Sequence, residues 1–107
     1  MDFEQIKQEV KGVQIETLRL ENENNFEAVI PKAQIVQLTA VLESFFGPAI
    51  FPSKNKLPEQ IAQEIDEYGG IMPGQTLYYR NDAGSTVFAM LWPWGDGMRT
   101  TLKIINK

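Results

Sequence analysis

Val87-Phe88-Ala89-Met90-Leu91-Trp92 is an unbroken apolar run. On a strand, Val87, Ala89 and Leu91 point to one face and Phe88, Met90 and Trp92 to the other. A strand apolar on both sides belongs in the middle of a sheet with cover on each face. This run therefore confines the chain to a layered fold and raises the question of what supplies the second layer. It continues into Trp92-Pro93-Trp94-Gly95-Asp96-Gly97, where a proline and two glycines interrupt it. From Met98 the period is two: Met98, Thr100, Leu102 and Ile104 share one face, and Arg99, Thr101 and Lys103 share the other. A strand, a tight turn and a return strand follow, and Asp96-Gly97 suits a two-residue hairpin turn because both residues tolerate positive φ.

The rest of the chain supplies the partners of this hairpin. Gln75 to Arg80 has strand character and is joined to the run at about 86–92 through Asn81-Asp82-Ala83-Gly84, short enough for an antiparallel hairpin. Near the N-terminus, Phe3, Ile6 and Val10 recur at helical spacing, with Asp2 able to cap the start and Gly12 to end it. Residues 13–20 admit two readings. One is a strand bulged near Glu16 or Thr17, because the apolar parity switches after Ile15. The other is a continuation of the first helix, because Val13 and Leu20 extend its stripe. Glu21 to Asn25 has no apolar residue and reads as a turn, and Phe26–Ile30 as a return strand.

Pro31 can open a helix whose stripe is Ile35, Leu38, Leu42 and Phe45, widened by Val41 and Phe46 and stopped by Gly47-Pro48. Pro58 opens another, with Ile61, Ile65 and Tyr68 on its buried edge and Gly69-Gly70 at its end. The expected fold is a single α+β domain over residues 1–107. Its antiparallel sheet combines a C-terminal three-stranded meander with an N-terminal hairpin, and about three helices pack mainly on one face.

Composition narrows the chemistry. The 107 residues contain no histidine and no cysteine, which removes thiolate and imidazole metal sites and the nucleophile pairs that use them. Hydrophobic residues make up 43% and charged residues 22%, as in ordinary globular proteins, and the net charge of −4 argues against nucleic-acid binding. Neither the dinucleotide nor the P-loop glycine pattern occurs, and the oxygen-rich stretch Glu21–Glu27 lacks the spacing of a calcium loop. No cofactor and no metal are expected. No apolar run is long enough to span a bilayer and no leader pattern opens the chain, so a soluble cytoplasmic protein with no membrane partner is expected.

The residues left for function are few. Trp92 and Trp94 stand beside Asp96 and Arg99 and could present a flat ring to a sugar, a nucleobase or a peptide, although tryptophans at a hairpin end also serve as packing. Tyr78 and Arg80 share a strand face, where Arg80 could clamp an anion or simply form a surface ion pair.

Two functions are compatible with this set. One is a non-catalytic binding or assembly module with an aromatic hairpin surface, acting on a protein or small-molecule partner. The alternative is a histidine-free enzyme with Asp82 or Asp96 as base, Tyr78 or Tyr79 as acid, and Arg80 or Arg99 holding an anionic substrate. A homodimer is expected for a further reason. If both long helices serve the face of Val87, Ala89 and Leu91, then Phe88, Met90 and Trp92 need cover from elsewhere, and a two-fold partner is the commonest solution.

Overall fold

The computed structural model describes residues 3–52, 56–82 and 84–107, and of Asp82 only the backbone. Asp2, Ala83 and the Asp82 side chain, read from the sequence as a cap, part of a turn and a candidate base, lie outside the described residues. The elements run α1 (Phe3–Lys11), β1 (Thr17–Glu21), β2 (Asn25–Pro31), a single 3-10 turn (Lys32–Gln34), α2 (Ile35–Phe46), α3 (Glu59–Asp66), β3 (Thr76–Asp82), β4 (Ser85–Pro93) and β5 (Arg99–Asn106). The strands form one antiparallel sheet in the order β1-β2-β5-β4-β3. The chain is thus the α+β domain its patterning predicts, with the apolar run on a central strand.

Three local readings change. Pro31 does not open the helix; it ends β2 with an extended backbone, and one 3-10 turn intervenes before α2. Of the two readings of 13–20, the strand is the one formed, but it starts at Thr17 and its register shifts between Leu18 and Leu20, so Arg19 is the bulge. The turn after Trp94 is longer than the two residues expected. Trp94 N–H donates to the Arg99 carbonyl at 2.9 Å, so the four residues Gly95 to Met98 join the strands; within them Gly97 N–H donates to the Trp94 carbonyl at 3.2 Å, and Gly97 has φ +69°. Met98 lies outside β5, in the hairpin end, and is exposed.

The two faces of the sheet have separate cores. On the first, α1 contributes Phe3, Ile6 and Val10, and α2 contributes Leu38, Leu42 and Phe45. These pack on Phe26, Ala28, Ile30, Tyr78, Val87, Ala89, Leu91, Leu102 and Ile104. On the second, Ile65 of α3 packs with Leu77, Phe88, Met90 and Ile105, sheltered further by Ile50, Phe51, Leu57, Ile61, Tyr68 and Ile71.

The cover that Phe88 and Met90 need thus comes from α3 of the same chain and not from a two-fold partner. The helices at 35–46 and 59–66 do not serve the same face. Phe88 and Met90 are each 0% exposed within one chain, so neither can lie on an oligomer surface.

The reason is the path between the helices. Ala49 still packs with the first core, whereas Ile50 and Phe51 pack with the second. At that point the chain is pinned to the outer edge of β3. Ile50 N–H donates to the Leu77 carbonyl at 2.9 Å, and Leu77 N–H donates to the Phe51 carbonyl at 3.0 Å. The backbone turns around the sheet edge there and delivers α3 to the far side. A Pro-rich stretch such as 48–58 carries no periodicity that would reveal such a corner.

α3 ends where Gly70 N–H donates back to the Ile65 carbonyl at 3.0 Å. Gly69 has φ +109°, and a Cβ there would fall 2.9 Å from Trp92 Cη2. That glycine is required both by its backbone conformation and by the indole pressed against it.

Candidate functional site

α3 covers only part of the second face. Its core takes strand residues from β3, β4 and β5, and none from β1 or β2. Among the described residues no helix belongs to the β1–β2 half of that face. Val29 of β2 is nonetheless buried and belongs to neither core. Its register neighbours are Thr17 and Thr101, and Thr101 pairs in turn with Trp92.

Trp94 lies over this row. Its indole N–H donates to Thr101 Oγ1 at 2.9 Å, and its backbone N–H donates to the Arg99 carbonyl at 2.9 Å. Both tryptophans therefore turn to the same side of the sheet despite Pro93 between them. Trp92 is tucked beside α3 and Trp94 is laid over the open half. Trp92 Nε1 is buried and meets no acceptor among the described residues.

Charged side chains frame the Trp94 ring. The guanidinium carbons of Arg19 and Arg99 each lie 5.6 Å from its centroid, within cation–π range. Arg99 donates from Nε to Glu16 at 2.7 Å and from Nη1 to Asp96 at 2.9 Å. Lys103 sits 5.4 Å over the Trp92 ring, donates to the Tyr68 carbonyl at 3.3 Å and lies 3.9 Å from Glu27, which is also 4.0 Å from Arg19. These are partly exposed ion pairs, which hold geometry more than they stabilise the fold.

Asp96 is built into the hairpin end. One carboxylate oxygen accepts from Met98 N–H at 2.8 Å and from Arg99 N–H at 3.3 Å, and the other accepts from the Arg99 side chain. The Met98 amide first, and then Arg99, hold its pKa below the ordinary 3.8. A general acid or base working near neutrality needs the opposite shift.

The depressed value makes a pH prediction. A carboxyl whose pKa is lowered by folding adds stability above its unfolded value and loses it as pH falls through the folded one. The parent should melt higher than Asp96→Asn at neutral pH, and the gap should close on acidification below 3.8. A gap that persists unchanged in acid would show that the ionised form is not what the hairpin holds.

The other candidates are elsewhere. Tyr78 is 2% exposed on the first face, its ring 5.9 Å from that of Phe46, and burial raises its pKa. Arg80 reaches the same side, donates to the Phe45 carbonyl at 3.0 Å and lies 5.1 Å from the Phe45 ring. It closes the C-terminal end of α2, where a cation is favoured. Tyr79 points to the second face and donates to Glu64 Oε1 of α3 at 3.0 Å. Burial first, and then the Glu64 contact, raise its pKa.

Arg80 pairs with Val87 near one end of β4, and the Asp96 hairpin follows Pro93 at the other. At about 3.3 Å per strand residue, the two are roughly 20 Å apart. The structure thus gathers Trp92, Trp94, Asp96 and Arg99 and separates them from Tyr78, Tyr79 and Arg80.

Arg19, Glu16, Glu27 and Lys103 join the gathered set without having been singled out by sequence. Only the alternation of Lys103 with Arg99 hinted at a shared face. Two surface clefts, of about 500 Å³ beside Lys56, Leu57, Glu59, Ala62, Gln63 and Asp66 and about 190 Å³ beside Phe3, Glu4, Glu23, Ser85 and Asn106, include none of these residues. Among the described residues no three acids come together as a metal site, and no helix is long and apolar enough to cross a membrane. No family model, curated protein or solved structure matches this chain.

Proposed function

We propose that this chain is a non-catalytic binding and assembly module whose contact surface is the half-face of β1, β2 and β5 around Trp94. The observation that carries the reading is the placement of that ring. A large aromatic side chain is held half-buried on a part of the sheet that carries no helix among the described residues, oriented by a hydrogen bond and flanked by two guanidinium groups. Aromatic and arginine side chains are the residues on which protein contacts most depend. The dispersal of the acid–base candidates across both faces and both ends of β4 supports binding over catalysis.

The test uses two neighbouring positions on β1. Leu20 is in register with Glu27 and so faces the Trp94 side, whereas Leu18 is in register with Ala28 on the helical side. A photo-crosslinking amino acid replaces each in turn in cells that make the protein, and protein adducts are read by mass spectrometry. A discrete adduct from position 20, absent from position 18, is the expected result. No adduct from position 20, or equal adducts from both, would overturn the reading.

A further inference from the structure

The partner that this surface fits best can be argued from its charges and its edge. Arg19, Arg99 and Lys103 are interleaved with Glu16, Glu27 and Asp96 across the half-face. Three cations meet three carboxylates, so the excess acid behind the net charge of −4 lies elsewhere on the chain. A two-fold contact brings a patch against itself. A patch of one sign repels its own copy, whereas one of alternating signs can set each cation against a carboxylate after rotation. Apolar contact is also at hand: the Trp94 ring is half-buried, and Leu20 beside it is 42% exposed.

Approach by the sheet edge is less suited to a copy. β1 has five residues, a bulge at Arg19 and two charged side chains, Arg19 and Glu21, devices by which edge strands resist pairing.

We propose that a second copy of this chain packs face to face on the half-face, with Leu20 and Trp94 at its centre and the ion pairs around them. The proposal rests on the binding-module reading and names its partner. It does not use Phe88 or Met90, which the chain covers by itself. An interface stable at micromolar protein buries about 1,200–2,000 Å² in total, so the contact takes in the outward faces of β1 and β2 as well as the hairpin end.

The experiment is sedimentation of the purified protein in the analytical ultracentrifuge, from low to high micromolar concentration, on the parent, Leu20→Glu and Leu18→Glu. Both leucines are exposed, Leu18 at 49%, so neither variant should unfold, and circular dichroism checks this. The parent mass should double with concentration, Leu20→Glu should keep the single-chain mass, and Leu18→Glu should behave as the parent. A parent that stays single throughout overturns the proposal, as does a doubling that both variants abolish, which means edge pairing, or that neither abolishes. Should Leu20→Glu lose its fold, Arg19→Glu takes its place with the same expectation. Failure of the binding reading looks different: position 20 then yields no crosslink to anything. A position-20 adduct with another protein, alongside a single-chain parent, leaves the binding reading standing and removes the second copy.

Discussion

Met90→Glu is expected to unfold the domain rather than to split an oligomer. Met90 is fully buried between β4 and α3, so the variant puts a carboxyl where no water reaches. A cation does stand beside it, because Lys103 is its register neighbour on β5. However, that ammonium already donates to the Tyr68 carbonyl and pairs with Glu27. The new acid must be buried either charged and poorly paired or neutral and poorly hydrogen-bonded, and both are costly. A loss of about 4 kcal/mol or more belongs to this class of change. It consumes most of a typical domain's stability of about 5–15 kcal/mol. Loss of the far-ultraviolet circular dichroism signal at room temperature would agree. A variant that stays folded while an oligomeric parent becomes single would place Met90 on a surface and contradict the structure.

Phe88→Ala should have the next largest effect, about 3–5 kcal/mol, the range for emptying a buried aromatic site. The Phe88 ring is 0% exposed. It meets Tyr68 edge-on at 5.6 Å and lies nearly parallel to Tyr79 at 6.3 Å. Its removal takes cover from α3's neighbour and from β3 together. The denaturant midpoint should fall with no change in slope. A shift under about 0.5 kcal/mol, typical of surface positions, would mean that the α3 layer is not packed on the sheet.

The sequence reading succeeds where periodicity is strong. The stripe Leu38, Leu42 and Phe45 and the alternation of Leu102 and Ile104 predict which side chains meet, and all five lie in the first core. The two-sided apolar run Val87–Trp92 correctly demands cover on both faces. What it cannot reveal is the source of that cover. The information resides in the corner at Ala49-Ile50, formed by backbone hydrogen bonds to Leu77 that leave no mark on side-chain pattern.

The candidate site shows the same division. Trp92, Trp94, Asp96 and Arg99 are near in sequence, and their gathering is legible. Arg19 and Glu27 come from strands far away in the chain, and only the strand order β1-β2-β5 brings them to Trp94. Tyr78 and Arg80 look available by composition, but their parity on β3 sends them beneath or against the end of α2.

The corner has a thermodynamic consequence. Ala49 and Ile50 are consecutive, yet they belong to different cores. Neither hydrophobic layer can therefore detach without tugging on the other, since one residue of chain offers no slack. The same β4 strand, moreover, supplies both cores with side chains. The two cores should behave as one cooperative unit, with damage at Leu42 on one face and at Phe88 on the other lowering a single shared transition.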